Sequence, residues 1–162
     1  MKWVLVVAGG VVLIIAMIAN ANCVSKALEL GRDIGGPLNR SQVAAKPAEM
    51  DKYMAQVQQG MEKYGLTKGY WTWFGINQNV DTDFSVAYQS VLNIRERLVT
   101  IMSFDPTSTQ YQVGLDDIRG TIRELHIGQQ SWNNYQHSWI LLVYAAAVVL
   151  LFVGLARLYV DS

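Results

Sequence analysis

Charge is missing from two long stretches of this 162-residue chain. No Asp, Glu, Lys or Arg lies between Lys2 and Lys26, and none lies between Glu124 and Arg157. Soluble domains carry about 25% charged residues. Here the share is 16%, nearly all of it in the middle. Cysteine is equally scarce: the single Cys23 excludes an internal disulfide framework. The asparagine before it is a poor match to a lipoprotein cleavage site, so Cys23 reads as an ordinary thiol near a membrane surface. Basic and acidic residues are equal at 13 each and form no basic patch, which argues against nucleic acid. No glycine-rich phosphate loop, zinc-ligand spacing or nucleophile elbow occurs. The chain also lacks a β-rich pattern, an internal repeat and a low-complexity tract.

What fills the uncharged stretches is apolar. The cores are Trp3 to Ala19 and Ile140 to Ala156, flanked by uncharged residues that tolerate an interface. A helix needs roughly 20 mainly apolar residues to cross a hydrocarbon layer of ~30 Å, and each stretch reaches that length with its flanks. The first resembles a secretory signal in outline, with a basic start, an apolar run and small residues at Ala19 and Ala21. It is read here as an uncleaved anchor.

Lys2 precedes the first span and Arg157 follows the second. Basic flanks favour the cytoplasmic side. Both termini are therefore expected in the cytoplasm and the middle in the periplasm of an inner membrane. Aromatic residues at the ends of the spans (Trp3, Tyr159, Tyr135 and Trp139) agree with interfacial belts.

Residues 24–47 read as a short helical extension followed by a linker from Gly31, rich in glycine and proline and without an apolar stripe. Pro47 suits the first turn of a helix. After it Met50, Tyr53, Met54, Val57, Met61 and Tyr64 recur at helical spacing, and Gly65 is a natural stop. Gly69 to Gly75 encloses an aromatic knot without periodicity. Asp81 or Asp83 caps the next helix, which carries Phe84, Ala87, Tyr88, Val91, Ile94, Leu98, Ile101 and Met102 on one face. Asp105-Pro106 signals a third start, with Tyr111, Leu115, Ile118, Ile122 and Leu125 as its stripe. No proline follows Pro106, so this helix is expected to run into the second span with a kink at Gly128.

The fold class predicted is an all-α membrane protein with two transmembrane helices flanking a small helical extramembrane domain. Its parts are the first span at 1–23, the extension and linker at 24–47, and the domain at 48–130 with an aromatic loop at 69–75. The second span at 131–158 and a tail at 159–162 complete it.

Candidate chemistry is sparse. His126 and His137 lie three helical turns apart and cannot chelate one ion by themselves. Asp81 with Asp83 reads as a cap, and Asp116 with Asp117 as a solvated face. The spans offer no acid, amide or base at mid-depth, which argues against a proton or ion pathway through them. The sequence therefore predicts neither an enzyme nor a bound cofactor or metal.

The residues expected to meet a partner or the membrane interface are Tyr70, Trp71, Trp73, Phe74, Trp132, Tyr135 and Trp139, because aromatics concentrate at both surfaces. Gly9, Gly10, Ala16, Ala145, Ala146 and Gly154 are expected to let helices pack closely in lipid. With only short segments outside the spans, no cytoplasmic output domain is expected. The function expected is a non-catalytic accessory subunit of a larger membrane complex, with other membrane subunits and the bilayer as partners. A periplasmic ligand-binding or sensor module acting through a partner is the alternative, and a small membrane enzyme a third.

Overall fold

The computed structural model describes residues 2–72 and 78–160. They are helical apart from turns, and their one β feature is an isolated bridge between Tyr70 and Asp83. The elements are α1 (Lys2–Leu30), a π-helical turn (Gly31–Gly35), α2 (Gly36–Val43), α3 (Pro47–Lys63), α4 (Phe84–Met102), α5 (Thr109–Glu124), α6 (Gln129–Gln136) and α7 (Trp139–Val160), with a 3₁₀ turn (Val80–Thr82) before α4. Two compact units result, one of Met1–Ala27 with Asn133–Ser162, the other of Leu28–Trp132.

Leu28–Trp132 encloses the main apolar core. Helix α3 begins with Pro47 in its first turn, where the missing N–H is no loss. Met50, Met54, Val57 and Met61 are all fully buried. The helix ends in a Schellman motif. The Leu66 amide donates to the Met61 carbonyl at 2.8 Å and the Gly65 amide to Glu62 at 3.1 Å. Gly65 takes the left-handed conformation this needs, with φ of 71°. Asp83 caps α4 by accepting from the Ser85 amide at 2.7 Å. Phe84, Ala87, Val91, Ile94, Leu98 and Ile101 face the core. Tyr88 sits beside that stripe and donates to Glu62 Oε1 at 2.5 Å, while Met102 is exposed. Across α3 and α4, Arg95 meets Asp51 at 2.8 Å and Gln58 at 2.6 Å.

Three expectations are corrected. The segment from Gly31 to Val43, expected as part of the linker, is helical. Pro37 falls in the first turn of α2 and so does not break it. Leu30, Ile34 and Leu38 recur every four residues and are buried in the core, a stripe obscured by three glycines. The start of α5 is not at Asp105-Pro106. Asp105 instead accepts from the Thr107 amide at 2.8 Å, closing a turn, and Ser108 is the cap. Finally, α5 does not run into the second long helix. It stops at Glu124, and α6 is bounded by breaks at 125–128 and 137–138. The first break returns Ile127 to the core, and Gly128 lies so close to the Trp71 indole that any β-carbon there would collide with it.

Two helices, α1 and α7, are long and apolar enough to cross a membrane. Helix α7 has 22 residues, about 33 Å at 1.5 Å per residue. It therefore needs no contribution from 131–138 to span. Both helices belong to the unit Met1–Ala27 with Asn133–Ser162. Where they meet, a β-carbon on Gly9 would lie 2.8 Å from Leu151 Cγ. Along α1 up to Ala27, the buried positions among the described residues are Gly9 and Ala16, with Val12, Ala19 and Cys23 half-buried between and beyond them. Along α7 they are Ile140, Ala147 and Gly154, with Val143 and Leu150 half-buried between. Both rows advance by three and four residues, the heptad spacing of helices that wrap around each other.

Candidate interaction surfaces

The aromatic knot is anchored at its start. Gly69, with φ of 90°, turns the chain so that its carbonyl accepts from the Phe84 amide at 2.8 Å. The Trp71 amide then donates to the Thr82 carbonyl at 3.1 Å. These bonds lay the Trp71 indole on Phe84, with ring centroids 4.9 Å apart and planes tilted by 55°. Trp71 is half-buried against the core, and Tyr70 beside it is exposed. Trp73 and Phe74 lie outside the described residues. Trp132 is half-buried against the same core, whereas Tyr135 and Trp139 are exposed. Trp71 thus serves packing with one face. Trp71→Ala is expected to destabilise the domain by about 2–3 kcal/mol, below the ~3–5 kcal/mol of a fully buried tryptophan. A urea titration in detergent checks this.

Of the residues proposed for helix packing, Gly9, Ala16 and Gly154 are buried, and Gly10 is half-buried with open space where a β-carbon would stand. Ala145 and Ala146 are exposed, and Ala147 takes the buried place. The signal missed in the sequence is a period of seven: Gly9, Ala16, Cys23 and Ile140, Ala147, Gly154.

A charged cluster that the sequence did not single out surrounds the π-helical turn. Asp33 accepts from Arg32 at 2.9 Å, Lys63 Nζ at 2.7 Å and the Tyr64 hydroxyl at 3.0 Å. These donors, Arg32 first and Lys63 next, hold its carboxyl well below the usual carboxylate range. Burial chiefly pushes the Tyr64 hydroxyl up, and the Asp33 bond raises Lys63. A carboxyl depressed by folding binds fewer protons in the native state than in the unfolded chain. Its contribution is therefore complete above about pH 4 and falls away as pH drops toward the folded value. Asp33→Asn is expected to flatten the loss of stability below pH 4 and to lower stability at pH 7. Denaturant midpoints measured across that range test this.

A shallow cleft of about 300 Å³ opens between the start of α4 and the end of α5, with Trp71, Asp81, Asp83, Glu124 and His126 on its walls. A second, of about 270 Å³, lies beside Arg32, Gln56, Gln59 and Lys63. Asp116 pairs with Arg119 at 3.0 Å, and Asp117 with Arg97. His137 Nδ1 lies 2.9 Å from the Asn133 carbonyl. Among the described residues no three His, Cys, Asp or Glu side chains come together as metal ligands would. Compared with protein-family models, curated proteins and solved structures, the chain matches none.

Proposed function

We propose that this chain is an integral membrane protein whose helices α1 and α7 cross an inner membrane, with both termini cytoplasmic and the helical domain periplasmic. Within that membrane it acts as a non-catalytic accessory subunit of a larger complex. The observation that carries this reading is the surface of the helix pair. With small residues turned inward, bulky aliphatic and aromatic ones such as Val7, Ile14, Ile18, Leu142, Val149 and Phe152 are exposed along both helices. Water-soluble monomers seldom expose an apolar patch beyond a few hundred Å², whereas acyl chains solvate such a face.

The inward seam is occupied by the chain's own second helix. Contact with other subunits therefore falls to the outward faces of the helix pair, with Tyr135 and Trp139 exposed beside it, and to the domain, where Tyr70 presents aromatic surface. Purification from native membranes in mild detergent tests the accessory role. A stoichiometric membrane partner is the expected result, and a lone monomer contradicts it. The cleft beside Trp71 favours a second reading, a ligand-binding module acting through a partner. A small-molecule panel that raises the melting temperature supports that reading, since bound ligand stabilises the native state.

A further inference from the structure

Among the described residues, Asn133 is the one polar side chain of the α1–α7 unit that is almost entirely removed from solvent, at 1% exposure. It lies in α6, seven residues before Ile140 and across the turn at 137–138, and extends the buried row Ile140, Ala147, Gly154 of α7. Its amide nitrogen donates to the Cys23 carbonyl at 3.4 Å and lies 3.5 Å from Cys23 Sγ. Its Oδ1 finds no hydrogen-bond partner among the described residues.

Stability alone does not explain an amide there. A buried amide with one unpaired oxygen loses part of its desolvation cost without return, and an apolar side chain of similar size is often neutral or better. The seam also discriminates poorly between alignments. The helices run antiparallel, Gly9 beside Leu151 and Cys23 beside Asn133, so Ala16 falls nearest Ile140. Sliding one helix by seven residues sets Gly9, Ala16 and Cys23 against Gly154, Ala147 and Ile140, a seam just as apolar and lined with small residues. Helical continuity gives no help, because two breaks separate α5 from α7. A single buried asparagine in such a seam is a known means of fixing register at a cost in stability.

We propose that Asn133 sets the register of the α1–α7 pair through its contact with Cys23. In a chain shifted by one heptad, the Asn133 amide would leave the Cys23 sulfur for the Ala16 or the Leu30 turn, and the contact that singles out this alignment would be lost. This holds whether the pair lies in lipid or in detergent, and so does not depend on the membrane reading.

Disulfide trapping in the full chain provides the test, in a Cys23→Ser background that keeps an acceptor at that position. Ala16 and Ile140 are both buried, and with the antiparallel contacts Gly9–Leu151 and Cys23–Asn133 on either side they fall opposite each other. The pair A16C with I140C therefore reports the native register. A16C with A147C, and G9C with I140C, report one-heptad slips in the two directions. With Asn133 present, the native pair is expected to cross-link and the slipped pairs to stay largely reduced. With Asn133→Leu, slipped cross-links are expected to rise about fivefold, the factor lost with one modest hydrogen bond, at unchanged helicity. Should leucine prevent folding, Asn133→Ala gives the same reading. An unchanged cross-linking pattern in the apolar variant that folds overturns the proposal. So does loss of native and slipped cross-links together, which would make Asn133 necessary for pairing rather than for its alignment.

Discussion

Ile15→Lys is expected to cost about 3 kcal/mol of membrane insertion, the penalty for a lysine near the centre of a spanning helix. Ile15 lies mid-way along α1 and is 53% exposed. That exposure gives the variant its value. In water, replacing an exposed isoleucine by lysine shifts stability by no more than about 0.5 kcal/mol. Surrounded by acyl chains, the same ammonium must be desolvated or must pull water and headgroups inward. A fall of roughly a hundredfold in the inserted-to-uninserted ratio follows from that penalty. Scoring insertion by a glycosylation or protease-protection reporter measures it directly. Val149→Lys on α7, equally outward-facing, is expected to behave alike. Normal insertion of both variants would mean that these faces look at water or at a polar partner.

Gly60→Val is expected to destabilise the Leu28–Trp132 unit by about 3 kcal/mol, the upper end for overpacking in a close contact. A β-carbon on Gly60 would stand 2.7 Å from the Asp33 carbonyl oxygen and 2.7 Å from Ile34 Cγ1. The first of these atoms is backbone, so no rotamer change relieves the overlap. The π-helical turn must move away from α3, and the movement strains the bonds from Asp33 to Lys63 and Tyr64. A unit of about 100 residues loses about 4–8 °C of melting temperature per kcal/mol. Thermal unfolding followed by circular dichroism is therefore expected to show a drop of more than 10 °C at that rate. Gly120→Val is the control, since open space surrounds that glycine and only the modest helix-propensity difference applies.

The contrast between these glycines shows what the sequence disclosed and what it withheld. The faces of α3, α4 and α5 were legible because each is one continuous stripe. Met50, Met54, Val57 and Met61 advance by three and four whatever packs against them. The stretch Gly31–Val43 was illegible because its three glycines and Pro37 carry breaker signals that position alone cancels. Pro37 in a first turn is harmless, and Leu30, Ile34 and Leu38 need a partner surface before their spacing means anything. Gly128 looked like a kink because its role is set by Trp71, distant in sequence. The pairing of α1 with α7 was written as a period of seven in small residues, a weak signal inside segments where small residues are common. Asn133 looked like an interfacial polar residue until its contact with Cys23 gave it a place in the seam. Of the aromatic knot, the cluster was legible but not the inward turn of Trp71 onto Phe84.

Labelling by a water-soluble maleimide tests the central claim most directly. In a Cys23→Ser background, single cysteines are placed at Ile14, Val149 and Lys68, all exposed on the protein surface. If α1 and α7 lie in a bilayer, only the Lys68→Cys variant reacts in intact membranes, and the other two react only after the membrane is replaced by denaturant. Comparable labelling of all three in intact membranes would show that these faces meet water and would contradict the account.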